Sequence, residues 1–221
     1  MAYALIAHDK AKSANDNSVT TAAINMTGAD LLVVAVATTG FNAATVTDSL
    51  SNTWTAKTRY GTSSATIQLF FVQAPTVGAS QTFTATANGE FPSICVAGFS
   101  GSATTPFDVE NGAQASGVST IQPGSITPNE NSELIITAVG KNGVLTSTVD
   151  SPFTLLDDQP GDNLHAIGTA MAYEIQTTAT ARNPTWTESA NGSMGADIVS
   201  FKAAGGGAVA KAASLMLMGV G

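Results

Sequence analysis

The stretch ADLLVVAVATTG, residues 29–40, returns in altered form as SELIITAVGKNG, residues 132–143. The alignment places Leu31 on Leu134, an offset of 103 residues. In both copies a run of β-branched and apolar residues of strand length is followed by small, turn-forming residues, which favours a buried strand. The first prediction is therefore a repeat of about one hundred residues built around this strand.

The correspondence extends along the chain at nearly the same offset. Further matches join Val46 to Val149, LFFVQ at 69–73 to MAYEI at 171–175, Phe83-Thr to Trp186-Thr, and VAGFSG at 96–101 to IVSFKA at 198–203. The predicted organisation is repeat one at 17–101, a turn-rich surface connection at 102–117, repeat two at 118–204, and a Gly-rich joint with an apolar C-terminal tail at 205–221.

Within the matched runs the apolar residues recur with a period of two, as Ile67, Leu69 and Phe71 do. Further candidate strands precede each repeat and occupy the N-terminus, so that about a dozen are expected. The predicted fold class is all-β: residues 1–204 form a jelly-roll-like antiparallel β-sandwich, built from two tandem, diverged repeats that share a core. Two sandwiches of immunoglobulin size are the alternative.

Composition limits the classes of partner. The chain of 221 residues has 8 Lys plus Arg against 16 Asp plus Glu, a net charge of −8, and no basic cluster, so nucleic acid is not expected as a partner. The longest apolar run, Leu31 to Ala37, is too short for a transmembrane segment and is predicted to be a buried strand. The N-terminus carries no secretory signal pattern, and Cys95, in an apolar run, is predicted to be a buried structural thiol.

The sequence DDQPGDN, residues 157–163, is the densest group of oxygen ligands in the chain. Asp157, Asp158 and Asp162 are therefore weak candidates for Ca²⁺, with a solvated turn as the preferred interpretation and no cofactor predicted. His8 and His165 are interpreted as structural or surface residues, with a role for His165 in ligand binding beside this loop as the alternative.

No sequence motif for a catalytic nucleophile, phosphate loop or dinucleotide site is present, and no strand pairs two carboxylates as glycoside hydrolysis requires. Glu174 and Glu188 occur singly and are predicted to face solvent on their strands. The chain is predicted not to be an enzyme. Trp54 and Tyr60 are candidate stacking platforms for a sugar ring, although core or interface positions are the preferred interpretation.

The tail GGGAVAKAASLMLMGVG, residues 205–221, follows a repeat that is already complete at Ala204. Its apolar residues Leu215, Met216, Leu217 and Met218 are predicted to dock on a neighbouring subunit or shell.

Four segments resemble a group of β-sandwich proteins and modules, mostly of unassigned function, encoded by tailed phages and bacteria. They are VTDSLSNTWTA at 46–56, FFVQAP at 70–75, QTFTATA at 81–87 and ICVAGFSGSATTPFD at 94–108. The resemblance covers residues 30–108 best and implies a virion-associated or surface protein, with no active site carried over.

The expected function is that of a non-enzymatic virion structural protein, a decoration, collar or fibre-like component. Such a protein is made in the host cytoplasm without a signal peptide, forms homo-oligomers, and binds other virion subunits through strand edges and the tail. The alternative is a carbohydrate-binding or adhesive module at the cell surface or outside the cell, exported by a signal-less route.

Overall fold

The computed structural model describes residues 2–13, 17–162 and 166–205. These residues form fourteen strands and no helix, and every ladder is antiparallel, so the all-β prediction is confirmed. In chain order the strands are β1 (Ala4–Lys12), β2 (Ser18–Thr20), β3 (Leu31–Thr38), β4 (Thr45–Asp48), β5 (Thr55–Gly61), β6 (Thr66–Gln73), β7 (Phe83–Thr86), β8 (Ser93–Ser100), β9 (Ser102–Ile121), β10 (Leu134–Asn142), β11 (Ser147–Val149), β12 (Thr154–Gln159), β13 (Ile167–Ile175) and β14 (Trp186–Ala203).

The strands form three sheets. The first half of the chain contributes a five-stranded sheet in the order β1-β8-β3-β6-β5 and a small sheet in the order β2-β7-β4. The second half forms one sheet in the order β11-β14-β10-β13-β12, with β9 also paired to β14. None of the described residues forms a helix that is long and apolar enough to cross a membrane.

The ladders of the second half follow those of the first. Strands β14, β10, β13 and β12 pair in the order of β8, β3, β6 and β5. The long strand β9 corresponds to two strands of the first half. Its first part pairs with the end of β14, as β1 pairs with β8. Its last residues pair with the start of β14, as β2 pairs with β7. Strand β11 pairs with the start of β14 as β4 pairs with β7.

Residues 102–117, predicted as a turn-rich surface connection, lie instead in strand β9 and pair with β14. Among the described strands β14 is the only partner of β9, and most β9 side chains are at least partly exposed. An edge strand of this kind accepts Ser, Thr, Asn and Gly, which explains why its composition resembled that of a loop.

Apolar side chains form three clusters, which explains why β3 and β10 are buried on both faces. The central cluster joins alternate residues of β3, such as Leu31 and Val33, to alternate residues of β10, such as Leu134 and Ile136. A first outer cluster lies between β3 and the small sheet, and a second outer cluster joins the other face of β10 to Trp186 and the end of β9. The predicted burial of Leu31–Ala37 and of Cys95 is confirmed.

Polar contacts connect the edges of the two large sheets on both sides of the central cluster. On one side β1 meets β12, where His8 Nδ1 lies 2.7 Å from Asp157 Oδ2 and Lys10 Nζ donates to the Asp158 carbonyl at 2.7 Å. On the other side β5 meets β9, where Lys57 Nζ lies 3.3 Å from Glu110 Oε2. Each half therefore contributes an edge strand that binds the other half.

The sheets approach most closely where glycines of the second half face the backbone of the first. A Cβ atom at Gly140 would lie 2.3 Å from the Thr66 carbonyl oxygen, and one at Gly195 would lie 2.4 Å from the Tyr60 carbonyl oxygen. Because backbone atoms occupy that space, only glycine allows this separation between β10 and β6.

Candidate functional site

The three aspartates proposed for Ca²⁺ each face a different basic side chain. Asp157 pairs with His8 at 2.7 Å, Asp162 with Lys12 at 2.9 Å, and Asp158 with Lys141. Within the part of the chain that the structure describes, no group of three His, Cys, Asp or Glu side chains is arranged to hold a metal ion. His165, interpreted as a structural or surface residue with a role in ligand binding beside this loop as the alternative, lies outside the described residues.

The two aromatic residues proposed for glycan contact lie on opposite faces of the first large sheet. Trp54 packs against the first outer cluster, with its ring edge-on to Phe83 at 6.0 Å and its Nε1 donating to Asp48 Oδ2 at 2.9 Å. Tyr60 packs against the central cluster, and its ring covers Gly112. The structure thus does not bring these two rings together on one surface.

The predicted docking residues Leu215, Met216, Leu217 and Met218 lie outside the described residues, which end at Gly205.

The prediction that Glu174 and Glu188 face solvent is wrong. Both are buried, because each meets a basic side chain inside the second half. Glu174 accepts two hydrogen bonds from the Arg182 guanidinium, at 2.5 and 2.6 Å. Glu188 belongs to a buried cluster with Lys141, Asp158 and Ser147.

This lysine cluster, defined as Lys141, Ser147, Asp158 and Glu188, lies beside the second outer cluster. The side chains of Lys141 and Glu188 are fully buried, whereas that of Asp158 is 16% exposed. Lys141 Nζ contacts Asp158 Oδ1 and Ser147 Oγ, and lies 3.5 Å from Glu188 Oε2. A buried ammonium group of this kind is rare unless carboxylates accompany it.

Ser147 connects the two carboxyl groups of the cluster. Its backbone N–H donates to Asp158 Oδ2 at 3.0 Å, and its hydroxyl donates to Glu188 at 2.8 Å. The same hydroxyl oxygen accepts a hydrogen bond from Lys141, so donor and acceptor capacity are both used. Burial raises the pKa of Glu188, with the like charge of Asp158 acting in the same direction and Lys141 opposing it.

Gly168 leaves room for the side chain of Lys141 to cross strand β13. Lys141 pairs with Gly168 across the β10–β13 ladder, and Asp158 pairs with Ala170 across the β13–β12 ladder, so β13 separates the two side chains in the sheet. A Cβ atom at Gly168 would lie 3.0 Å from Lys141 Cε. The lysine stem therefore crosses β13 at the one residue of that strand that has no side chain to obstruct it.

One pattern in the sequence indicates that Lys141 is buried. Ile135, Thr137 and Val139 alternate along β10 toward the buried outer face, and the same period places Lys141 on that face. The sequence interpretation did not single out Lys141, because the carboxylates that meet it come from β12 and β14, far away in the sequence.

Another buried carboxyl group, that of Glu133, lies on the path from β9 to β10. Glu133 has no exposed surface, and its Oε1 accepts a hydrogen bond from the Glu130 N–H at 3.0 Å. Burial raises the pKa of Glu133 to about 7, an effect that the nearby charge of Asp108 increases. At neutral pH this group therefore titrates inside the folded protein.

A groove with a mixed apolar and polar lining lies where β5 and β6 meet β9. Its volume is about 460 Å³, and its lining contains no ionisable side chain: Thr53, Thr55, Phe71, Val72, Gln73, Thr105, Pro106 and Phe107. The rings of Phe71 and Phe107 stack at 6.4 Å, and Lys57 Nζ lies 3.3 Å from the centre of the Phe107 ring. The groove therefore offers apolar surface rather than groups for acid–base chemistry.

Comparison of the chain with protein-family models, curated proteins and solved structures gives no match in any of the three.

Proposed function

We propose that the chain consists of two tandem, diverged jelly-roll-like repeats packed through a common central core. Support comes from the ladders: β1-β8-β3-β6 and β2-β7-β4 form two sheets whose pairings recur in the second half. Strands β1 to β4 and β6 to β8 alternate between two sheets, as strands of a jelly roll do, whereas β5 lies beside β6 in the larger sheet. The sequence matches at an offset of 102 to 103 residues support the same duplication.

We propose that the protein is a non-enzymatic structural and assembly component, of the kind found in phage virions. The observation that carries this proposal is the Phe71–Phe107 groove, whose aromatic and hydroxyl lining suits the burial of an apolar segment from another chain. The low charge content and the resemblance of residues 30–108 to phage and bacterial β-sandwich modules support the virion setting.

The proposed occupant is the segment Leu215–Met218 of a neighbouring copy. The described chain leaves β14 at Ala203, which pairs with Ser102, three residues before the groove residue Thr105 on β9. Ten residues from 205 to 215 can span at most about 33 Å. Strand β5 pairs only with β6 among the described strands, so the groove lies at a sheet edge.

Sedimentation of four chains tests the assembly proposal. The full chain is expected to form oligomers, whereas a chain ending at Gly205 and the variant Phe107→Ser are expected to be folded monomers. Val144→Ser is the matched control, because Val144 is 58% exposed and lies outside the groove lining. A full chain that stays monomeric at high concentration, or a truncated chain that assembles normally, would refute docking through this segment.

The virion setting has its own test. The protein should co-purify with phage particles produced from its source genome, and its absence from purified particles would refute that setting.

One observation favours the alternative of glycan binding. The solvent face of the small sheet carries two rows of hydroxyl groups across three strands, Ser18–Thr86–Thr45 and Thr20–Thr84–Thr47. Hydroxyl groups at strand spacing can exchange hydrogen bonds with an ordered sugar polymer. A monomeric full chain that is retarded on glycan-containing gels would favour this function over assembly.

A further inference from the structure

The charges of the buried lysine cluster do not balance if all three ionisable groups are charged. One ammonium group meets two carboxyl groups, and the side chains of Lys141 and Glu188 have no exposed surface. Burial raises the pKa of Glu188 and so favours its neutral form. With Glu188 neutral, the contact between Lys141 and Asp158 is one pair of opposite charges. In a site of low polarity, transfer of a proton from Nζ to the Asp158 carboxylate removes both charges and their desolvation cost.

That transfer creates reactive partners in contact. The amine of Lys141 then has a free electron pair, and the carboxyl group of Asp158 has an electrophilic carbon, with Oδ1 already in contact with Nζ. The Ser147 N–H, 3.0 Å from Asp158 Oδ2, is placed to stabilise negative charge that develops on that oxygen during attack. Because the fold fixes both side chains, the reaction is intramolecular and gains from proximity.

We propose that Lys141 and Asp158 become joined by an intramolecular isopeptide bond, with Glu188 transferring the proton. The Nζ electron pair attacks Asp158 Cγ and forms the C–N bond. Glu188 begins protonated and gives its proton to the departing hydroxyl, so the Cγ–O bond breaks and one water molecule leaves. The Glu188 carboxylate, whose Oε2 lies 3.5 Å from Nζ, then takes a proton from Nζ directly or through the Ser147 hydroxyl. An amine and a carboxylic acid thus give an amide and water, with no change in oxidation state.

The first half of the chain shows that the fold does not need these charges. Lys141 is the eighth residue of β10, and the eighth residue of β3 is Thr38. Glu188 corresponds to Ala85 at the offset of 103 residues. Since uncharged residues fill the positions equivalent to Lys141 and Glu188, and apolar replacements for buried ion pairs are usually at least as stable, the cluster calls for a chemical explanation.

The proposed bond joins strands that are not neighbours. In the sheet β13 lies between β10 and β12, and the lysine stem passes over Gly168 to reach Asp158. The bond would clamp β13 beneath it and hold β12, an edge strand of the second half. This placement suits a protein that must resist pulling or proteolysis at an exposed edge.

Intact mass spectrometry of the purified full chain tests the proposal. The wild-type protein should be lighter than its sequence mass by one water molecule, and a protease digest should contain a branched peptide that links Lys141 to Asp158. The variants Lys141→Met and Glu188→Gln should show their full sequence masses, with folding checked by circular dichroism. Glu110→Gln is the matched control, since Glu110 pairs with Lys57 across partly exposed strands, and it should still lose water.

A wild-type protein with its full sequence mass and no branched peptide would overturn the proposal. So would water loss that persists in Lys141→Met, because it would place the dehydration within the aspartate alone. A folded Glu188→Gln that forms the bond as fast as wild type would overturn the role of Glu188. The wild-type mass decides the existence of the bond even where a variant fails to fold.

Discussion

The substitution Gly140→Ala should separate the two large sheets. The new Cβ would lie 2.3 Å from the Thr66 carbonyl oxygen and 3.0 Å from Ala37 Cβ, whereas ordinary contact begins near 3.4 Å. The backbone must therefore move by about 1 Å at the centre of the interface. Overpacking of this kind costs about 3 kcal/mol, because backbone atoms cannot rotate away as a side chain can.

Two other effects change the expected loss in the free energy of unfolding. Gly140 is not among the residues with positive φ, so alanine recovers about 0.5–1 kcal/mol through the lower entropy of the unfolded chain. A gap of this size also weakens dispersion contacts throughout the central cluster, which works in the opposite direction. The expected net loss in the free energy of unfolding is therefore about 2–3 kcal/mol.

Urea unfolding followed by tryptophan fluorescence measures this loss. The control is Gly78→Ala, where the new Cβ would lie 3.4 Å from Leu50 Cδ1, at the end of a flexible side chain. That variant should stay within about 0.5 kcal/mol of wild type. A Gly140→Ala protein as stable as the control would show that the sheets are not held at the separation described, and the reasoning would be wrong.

Two other predictions concern titratable groups. Burial raises the pKa of Glu133 from 4.5 to about 7, so between these values the folded protein holds a proton that the unfolded chain has lost. Stability should therefore be higher near pH 4.5 and fall as the pH rises through about 7, and Glu133→Gln should reduce this fall; equal slopes for both proteins would contradict it. Burial also raises the pKa of the Cys95 thiol well above its usual range, so a thiol reagent should modify Cys95 only when urea is added. Labelling of the folded protein at the rate of the unfolded chain would contradict that prediction.

The sequence allowed prediction of features that depend on local pattern. The β-branched run Leu31–Ala37 and its counterpart at Leu134 identify the strands buried on both faces, because apolar residues leave neither face for water. Period-two alternation identifies β6 and β7. These signals are contained within single strands, and they were enough for the all-β class.

Features that depend on contacts between distant strands were not predicted. The sequence of β9 resembles a loop because an edge strand tolerates polar residues, and only its ladder with β14 identifies it. Glu188 resembles a surface residue because its partner Lys141 lies 47 positions earlier in the chain. A buried charge can be recognised only when the residue that compensates it is known.

The central cluster cannot be completed until the second half of the chain has been synthesised. Strands β1 to β8 leave the ribosome before β10 exists, and they can complete their own ladders and the first outer cluster. One face of that finished sheet, with Leu31, Val33 and Phe99, still has no partner until the second half is synthesised. For this interval the nascent chain exposes an apolar face large enough to bind chaperones or to associate with a second nascent copy. The first half expressed alone would keep that apolar face exposed. In the full chain, the sheet of the second half covers the face once it has been synthesised.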